Sequence, residues 1–78
     1  MELDVKFDYS KLLGRIKEKG FTQESIALGI DISVSTLSFK LNNKAVFTQK
    51  EIIKICYLLE IEIIEIGLYF FTLKVQKS

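Results

Sequence analysis

The side chains in this 78-residue chain that could carry out covalent or acid–base chemistry are few and scattered. Histidine is absent, which removes the commonest general base, the Ser-His and Cys-His nucleophile pairs and most zinc sites. Cysteine occurs once, as Cys56 in the apolar run IIKICYLL, and this setting predicts a buried side chain that packs as a small hydrophobic residue.

An acidic cluster and four glycines are the remaining features that could form a chemical site. Glu60, Glu62 and Glu65 lie close together in the sequence, but a run of charges is typical of a solvated helix face. The glycines are too scattered to form a phosphate-binding loop. We therefore predict that the chain is not an enzyme and that it binds neither a metal ion nor another cofactor.

Length and composition predict one domain, residues 1–78, located in the cytoplasm. Apolar residues make up 49% of the chain, which is enough for a folded core. No apolar run is long enough to cross a bilayer, and no signal peptide is recognisable, so no membrane partner is expected. The net charge is only +1, yet residues 6–54 carry nine basic side chains against five acidic ones, which permits a polyanionic partner without proving one.

Helix starts are indicated by a pattern that occurs four times. A large apolar residue precedes a capping residue, and a second apolar residue follows four positions after the cap, as in a hydrophobic staple. The four occurrences are Phe7, Asp8 and Leu12; Phe21, Thr22 and Ile26; Ile32, Ser33 and Leu37; and Phe47, Thr48 and Ile52. Thr48 and Glu51 also have the spacing of a capping box.

Apolar residues recur at helical spacing after these starts, and a fifth helix is predicted from about Glu62 through Ile63 and Ile66 to Tyr69. The predicted fold class is all-α, a compact bundle of about five helices. The sequence pattern leaves open whether the short C-terminal tail, residues 70–78, ends a helix, extends as an arm or forms a short strand.

The stretch ALGIDISVSTLSF, residues 27–39, decides whether the chain is all-α or a mixed fold with a β-strand. Apolar and polar residues alternate in its middle, which is the pattern of a β-strand. A strand would leave Leu37 out of phase, because the apolar positions change there from even to odd numbers. The apolar positions need no such change of phase if one helix ends near Ile30, the chain turns at Asp31 and a second helix is capped by Ser33.

With the helices placed in this way, the segment TQESIALGIDISVSTLS resembles the helix-turn-helix of the lambda-repressor/Cro-like (XRE) DNA-binding family. The match consists of Gln23 at the start of the first helix, the small Ala27 where two helices cross, and the family's apolar core positions, which are Ile26, Ile30, Ile32 and Leu37. Downstream, KLNN and the helix within 47–59 are similar to small phage repressors of Gram-positive hosts. The resemblance covers about residues 7–70 and implies a helix-turn-helix over residues 22–42.

Two positions depart from the family's pattern. The turn residue, usually glycine, is Asp31, which then has to adopt a left-handed backbone conformation at a cost of about 1 kcal/mol. The late core position of the recognition helix is Lys40 instead of an apolar residue, and Leu41 is predicted to pack with Leu37 in its place.

The resemblance implies that the recognition helix, residues 33–42, enters the major groove of DNA with its N-terminal residues at the base edges. The predicted base contacts are Val34, Ser35, Ser38 and Phe39, and the predicted phosphate contacts are Gln23, Thr36, Asn42, Asn43 and Lys44. Packing in the core or at an interface remains an open alternative for Phe39. Lys11, Arg15 and Lys17 are interpreted as a solvated helix face.

A module of this size reads few bases, so the expected form is a homodimer on a symmetric operator with half-sites about 34 Å apart. The C-terminal segment, residues 61–78, combines a helix and a tail with an excess of apolar residues, and it is the predicted dimerisation segment. Tyr69, Phe70 and Phe71 are its candidate interface residues.

The leading hypothesis is a sequence-specific DNA-binding transcriptional regulator of the phage Cro or repressor type, with double-stranded operator DNA as its partner. The alternative is a protein-interaction module, in which a helix-turn-helix scaffold binds an antirepressor or a toxin. The low net charge and the short polar side chains of the recognition helix favour keeping this alternative.

Overall fold

The computed structural model describes residues 5–75, which form five α-helices and one 3-10 turn. The elements are α1 (Ser10–Glu18), α2 (Gln23–Gly29), α3 (Val34–Leu41), α4 (Gln49–Leu59), the 3-10 turn (Ile63–Glu65) and α5 (Ile66–Phe70). Within residues 5–75, β-pairing is limited to an isolated antiparallel bridge between Phe7 and Leu73, and no helix is long and apolar enough to cross a membrane. The prediction of an all-α bundle of about five helices is confirmed.

Three of the four predicted caps begin helices as expected. The side chains of Thr22, Ser33 and Thr48 accept hydrogen bonds from the third backbone N–H of α2, α3 and α4 respectively. Thr48 forms the predicted capping box with Glu51. These bonds satisfy N–H groups that have no partner inside their own helix, which is why helices begin at these residues.

The cap predicted for the first helix is displaced. Helix α1 begins at Ser10, and its N-cap residue is Tyr9, whose side chain makes no capping bond. Asp8 instead accepts from the backbone N–H of Ser10 at 2.9 Å and from its hydroxyl at 2.6 Å. These bonds hold the pKa of the Asp8 carboxyl below its ordinary value.

The core lies where α2 packs on α3 and α4, and where α5 closes it against α1 and α4. Its buried apolar residues are Tyr9, Leu12, Ile16, Ile26, Ala27, Ile30, Leu37, Ile52, Ile55, Cys56, Leu59, Ile61, Tyr69 and Phe70. Cys56 is buried as predicted, and burial raises the pKa of its thiol.

Two of the three residues predicted for a dimer interface belong to this core. Tyr69 is 8% exposed and Phe70 is 2% exposed, because α5 turns both rings towards the other helices of its own chain. These two candidates therefore complete the core of their own chain, and the dimer interface itself stays a prediction. Phe71 is 53% exposed, so of the three only this ring remains available to another molecule.

Lys40, on the last turn of α3, is buried, whereas Leu41 is half-buried at the edge of the core. The Lys40 ammonium donates a hydrogen bond to the carboxylate of Glu51 on α4, and it lies 6.0 Å from the ring centre of Phe47. The expectation that Leu41 takes the core position in place of Lys40 is thus corrected: the lysine itself occupies it, and the ion pair satisfies its charge.

Arg15, which the sequence placed on a solvated face, joins α1 to the end of α4. Its guanidinium donates to the backbone carbonyls of Leu59 and Glu60, both at 3.0 Å, and also bonds Glu18 at 2.9 Å. The carbonyls at a helix C-terminus lack partners within the helix and carry partial negative charge, so a forked cation stabilises them.

Candidate recognition surface

Helices α2 and α3 are joined by a tight turn that aims the start of α3 outward. Asp31 lies in this turn with φ of 64°, which is the left-handed conformation that the turn position requires. The backbone N–H of Ile32 donates to the carbonyl of Ala27 and closes the end of α2. Ser33 then caps α3, so the first turn of α3 begins at the surface.

The outward face of α3 brings together most of the predicted base contacts. Val34, Ser35 and Phe39 are exposed, and Ser38 is half-buried beside them. Ser35, Thr36 and Phe39 line a shallow hollow whose opposite wall is Ala45, in the loop between α3 and α4. We call this hollow the α3 hollow.

Phe39 dominates this face, because 56% of its surface is exposed. The ammonium of Lys44 lies 5.5 Å from the centre of its ring, and the backbone N–H of Lys44 donates to the Phe39 carbonyl. The loop is thereby held against the ring, which presents a large apolar surface with one cation over its face.

The exposed face of α3 carries no charged side chain. The only charged residue of this helix is Lys40, and its ammonium is buried in the ion pair with Glu51. Lys44 stands just beyond the helix and is the cation nearest in sequence to its exposed face. The surface is therefore apolar and hydroxyl-bearing, with hydrogen-bonding capacity from Ser35 and Thr36.

Among the predicted phosphate contacts, Gln23 and Thr36 are exposed, and the Thr36 hydroxyl accepts a hydrogen bond from the Ser33 hydroxyl at 2.9 Å. The Asn42 amide donates to the carbonyl of Ser38 at 2.8 Å. The Asn43 amide accepts from the backbone N–H of Phe7 at 2.7 Å and donates to its carbonyl at 2.9 Å.

Asn43 has φ of 63°, so both its backbone and its side chain serve to fasten the N-terminal segment to the end of α3. The amide of Asn43 is thus already bonded within the chain, and a phosphate contact by this residue stays a prediction.

Two surface residues that adjoin this face were missed from the sequence. Ala45 lines the α3 hollow, and the neighbouring Val46 is 74% exposed. The available signal was the apolar run of residues 45–47 directly before the Thr48 cap, of which only Phe47 had been assigned a role.

The structure is that of a small all-α protein in which the exposed face of α3 carries no charged side chain. The chain belongs to the family described as "Protein of unknown function (DUF739)", whose model matches residues 5–73. The matching model is not that of the lambda-repressor/Cro-like family, so membership of the chain in that family stays a prediction.

One similar solved structure is the solution structure of the modulator of repression (MOR) of the temperate bacteriophage TP901-1 from Lactococcus lactis. It is 43% identical to this chain, the alignment covers 90% of this chain and 95% of that one, and the TM-score is 0.73. No curated protein shows a significant match.

Proposed function

We propose that this protein is a phage regulator that acts in the cytoplasm by binding a repressor protein, and that it has no catalytic activity. The similarity to a modulator of repression supports the regulatory role. The observation that favours a protein partner is the exposed face of α3, where Phe39 is more than half exposed and no side chain is charged.

The chemistry of this face fits protein better than DNA. Most of the affinity of DNA-binding proteins comes from Lys and Arg at phosphates, and α3 offers none on its surface. The centres of protein interfaces, in contrast, are depleted in charge and enriched in aromatic residues. An exposed phenylalanine held in place by a neighbouring loop is typical of an interface hot spot.

The second candidate function is direct binding to operator DNA as a homodimer. It is favoured by the arrangement of α2, turn and α3, which leaves Val34, Ser35 and Phe39 at the exposed start and side of α3. Gln23 is exposed to phosphates in this case, and the Thr36 hydroxyl, which accepts from Ser33, keeps its own hydrogen to donate. A steep dependence of binding on salt concentration would distinguish it from the protein-binding function.

The deciding experiment measures how strongly the same two variants bind each candidate partner, the repressor and operator DNA. Phe39→Ala removes the exposed ring, and Ile64→Ala is the matched control, since Ile64 is 87% exposed on the 3-10 turn. Binding to the DNA-binding domain of the repressor of the same phage is measured by calorimetry, and binding to that phage's operator DNA by gel shift at low and moderate salt.

We expect Phe39→Ala to weaken repressor binding about tenfold or more, as for an interface hot spot, and Ile64→Ala to leave it unchanged. Equal repressor binding by Phe39→Ala and the unchanged protein would refute the proposal. Salt-sensitive operator binding without any repressor binding would establish the second candidate instead. Circular dichroism of both variants confirms that they are folded.

A further inference from the structure

The N-terminal segment lies antiparallel to the segment that follows α5, residues 72–75, which we call the tail segment. Two backbone hydrogen bonds join them, from the N–H of Asp8 to the carbonyl of Thr72 at 2.7 Å and from the N–H of Lys74 to the carbonyl of Lys6 at 2.9 Å. These bonds flank one bridged pair of residues, one from each segment. In this antiparallel pattern the N–H and carbonyl of the bridged pair point away from the opposite segment.

The fold closes the outer edge of the N-terminal segment. The bridged residue there is Phe7, and the side-chain amide of Asn43 accepts from its N–H at 2.7 Å and donates to its carbonyl at 2.9 Å. The amide thus takes the place that a neighbouring strand would have. No backbone group of Phe7 is left for another molecule on this side.

The outer edge of the tail segment is open. The bridged residue there is Leu73, and within residues 5–75 neither its N–H nor its carbonyl has a hydrogen-bond partner. The side chains of Leu73, Val75 and the preceding Phe71 are all more than half exposed. Open backbone groups beside exposed apolar side chains are the arrangement to which an extended segment adds as a further strand. We call this edge of the tail segment the tail edge.

The tail edge is complementary to a second copy of itself. In an antiparallel pairing with its twofold axis at Leu73, the two copies of this residue exchange both open hydrogen bonds, and Thr72 of each copy lies opposite Lys74 of the other. An axis at Lys74 would place two ammonium groups opposite each other. An axis at Thr72 would need the end of α5, which reaches Phe70, to be extended. Only the axis at Leu73 satisfies the open groups without either conflict.

We propose that two copies of this chain associate through their tail edges. The product is a four-stranded antiparallel sheet with the two tail segments at its centre and the two N-terminal segments outside, and such a sheet is more stable than an isolated pair of strands. Asn43 already closes the outer edge at Phe7, so association stops at two copies. The inference does not depend on repressor binding, and it assigns a surface to the homodimer expected from the sequence. The contact is short, so we expect a dissociation constant between about 10 μM and 1 mM.

The test compares two substitutions of Leu73 by sedimentation equilibrium of the full chain at up to about 1 mM. Leu73→Pro removes the outward N–H and no hydrogen bond within residues 5–75, whereas Leu73→Ala shortens the side chain and keeps that N–H. We expect self-association of Leu73→Pro to be about tenfold or more weaker than that of Leu73→Ala, because two hydrogen bonds are lost in each dimer. Equal association of the two variants would overturn the proposal, and so would an unchanged protein that stays monomeric at about 1 mM.

The register is tested separately with charges. Thr72→Lys places a lysine opposite Lys74 of the other copy, and we expect it to weaken self-association about threefold or more. Combining Thr72→Lys with Lys74→Glu puts opposite charges at the same places and is expected to restore it. A double variant that associates no better than Thr72→Lys would overturn the pairing at Leu73. Thermal unfolding establishes that each variant is folded, and the charge variants carry the test if Leu73→Pro does not fold.

Discussion

The ion pair between Lys40 and Glu51 joins α3 to α4, and its energetics can be tested by a double-mutant cycle. Both side chains are largely buried, at 9% and 14% exposure, and Glu51 also accepts from the backbone N–H of Thr48 at 2.8 Å. Glu51→Gln keeps an acceptor for Thr48 but leaves the lysine charge buried without a counter-charge.

Removing one member of a buried ion pair typically costs about 3–5 kcal/mol. Both groups here retain some contact with water, and the lysine stem can extend towards it. We therefore expect Glu51→Gln to cost about 2–3 kcal/mol. Lys40→Met fills the same space beside Phe47 with an apolar chain but leaves the Glu51 carboxylate without its counter-charge. Because that carboxylate keeps its hydrogen bond from Thr48, we expect a smaller cost of about 1–2 kcal/mol. The double variant is expected to lie close to the unchanged protein, since neither charge remains buried.

The assay is urea unfolding followed by circular dichroism, with equal m-values required before the free energies of unfolding are compared. The expected coupling energy between Lys40 and Glu51 is about 3 kcal/mol or more, because the double variant recovers both single losses. Additivity of the two single variants, within about 0.5 kcal/mol, would refute the interaction.

The pH dependence gives an independent check on the same pair. Burial by itself raises the pKa of the Glu51 carboxyl, but the hydrogen bonds from Lys40 and Thr48 outweigh it, and the pKa lies below its ordinary value. A lowered folded-state pKa means that the stabilisation is fully present above the unfolded pKa, about 4.3, and is lost as the pH falls through the folded value. The difference in stability between the unchanged protein and Glu51→Gln should therefore be constant above about pH 5.5 and shrink at lower pH. A difference that does not change with pH would contradict this.

Three further changes test the positions that define the helix ends, each by urea unfolding. Asp31→Gly is expected to be neutral or stabilising, and Asp31→Val to cost about 1–2 kcal/mol, because only glycine adopts the left-handed conformation without strain; equal stabilities would refute this. Arg15→Ala is expected to cost about 1–2 kcal/mol, since two carbonyls of the α4 C-terminus lose a charged donor. Arg15→Lys should recover less than half of that loss, and full recovery would show that the fork geometry is unimportant. Gly29→Ala is expected to change stability by less than about 1 kcal/mol, because its new Cβ would lie 2.7 Å from a movable terminal carbon of Leu58 while alanine favours the helix; a loss of more than about 2 kcal/mol would show that Leu58 cannot move.

Local signals in the sequence were sufficient for the helix starts. A cap residue satisfies N–H groups within three positions of itself, so Thr22, Ser33 and Thr48 could be identified without knowledge of the rest of the fold. Asp8 shows the limit of the same signal. Its carboxylate bonds Ser10 in a local turn two residues ahead, which looks identical in the sequence to a helix cap.

Contacts between distant residues could not be inferred from spacing. Lys40 and Leu41 are both neighbours of Leu37 on a helix, and hydrophobicity alone favours the leucine for the core. The structure buries Lys40 because Glu51, eleven residues further along, supplies the counter-charge. The partner carbonyls of Arg15 lie 44 and 45 residues away, so no periodic pattern could have revealed them.

The apolar C-terminal segment shows the limit of an inference from composition. An excess of apolar residues indicates that something must be covered, but not whether the cover is another helix of the same chain or another molecule. Here α5 turns both of its aromatic rings, Tyr69 and Phe70, into the core of its own chain, while Phe71 and the overlooked Val46 stay exposed. The protein partner proposed above therefore depends on the apolar side chains that remain exposed after this core has formed, foremost Phe39.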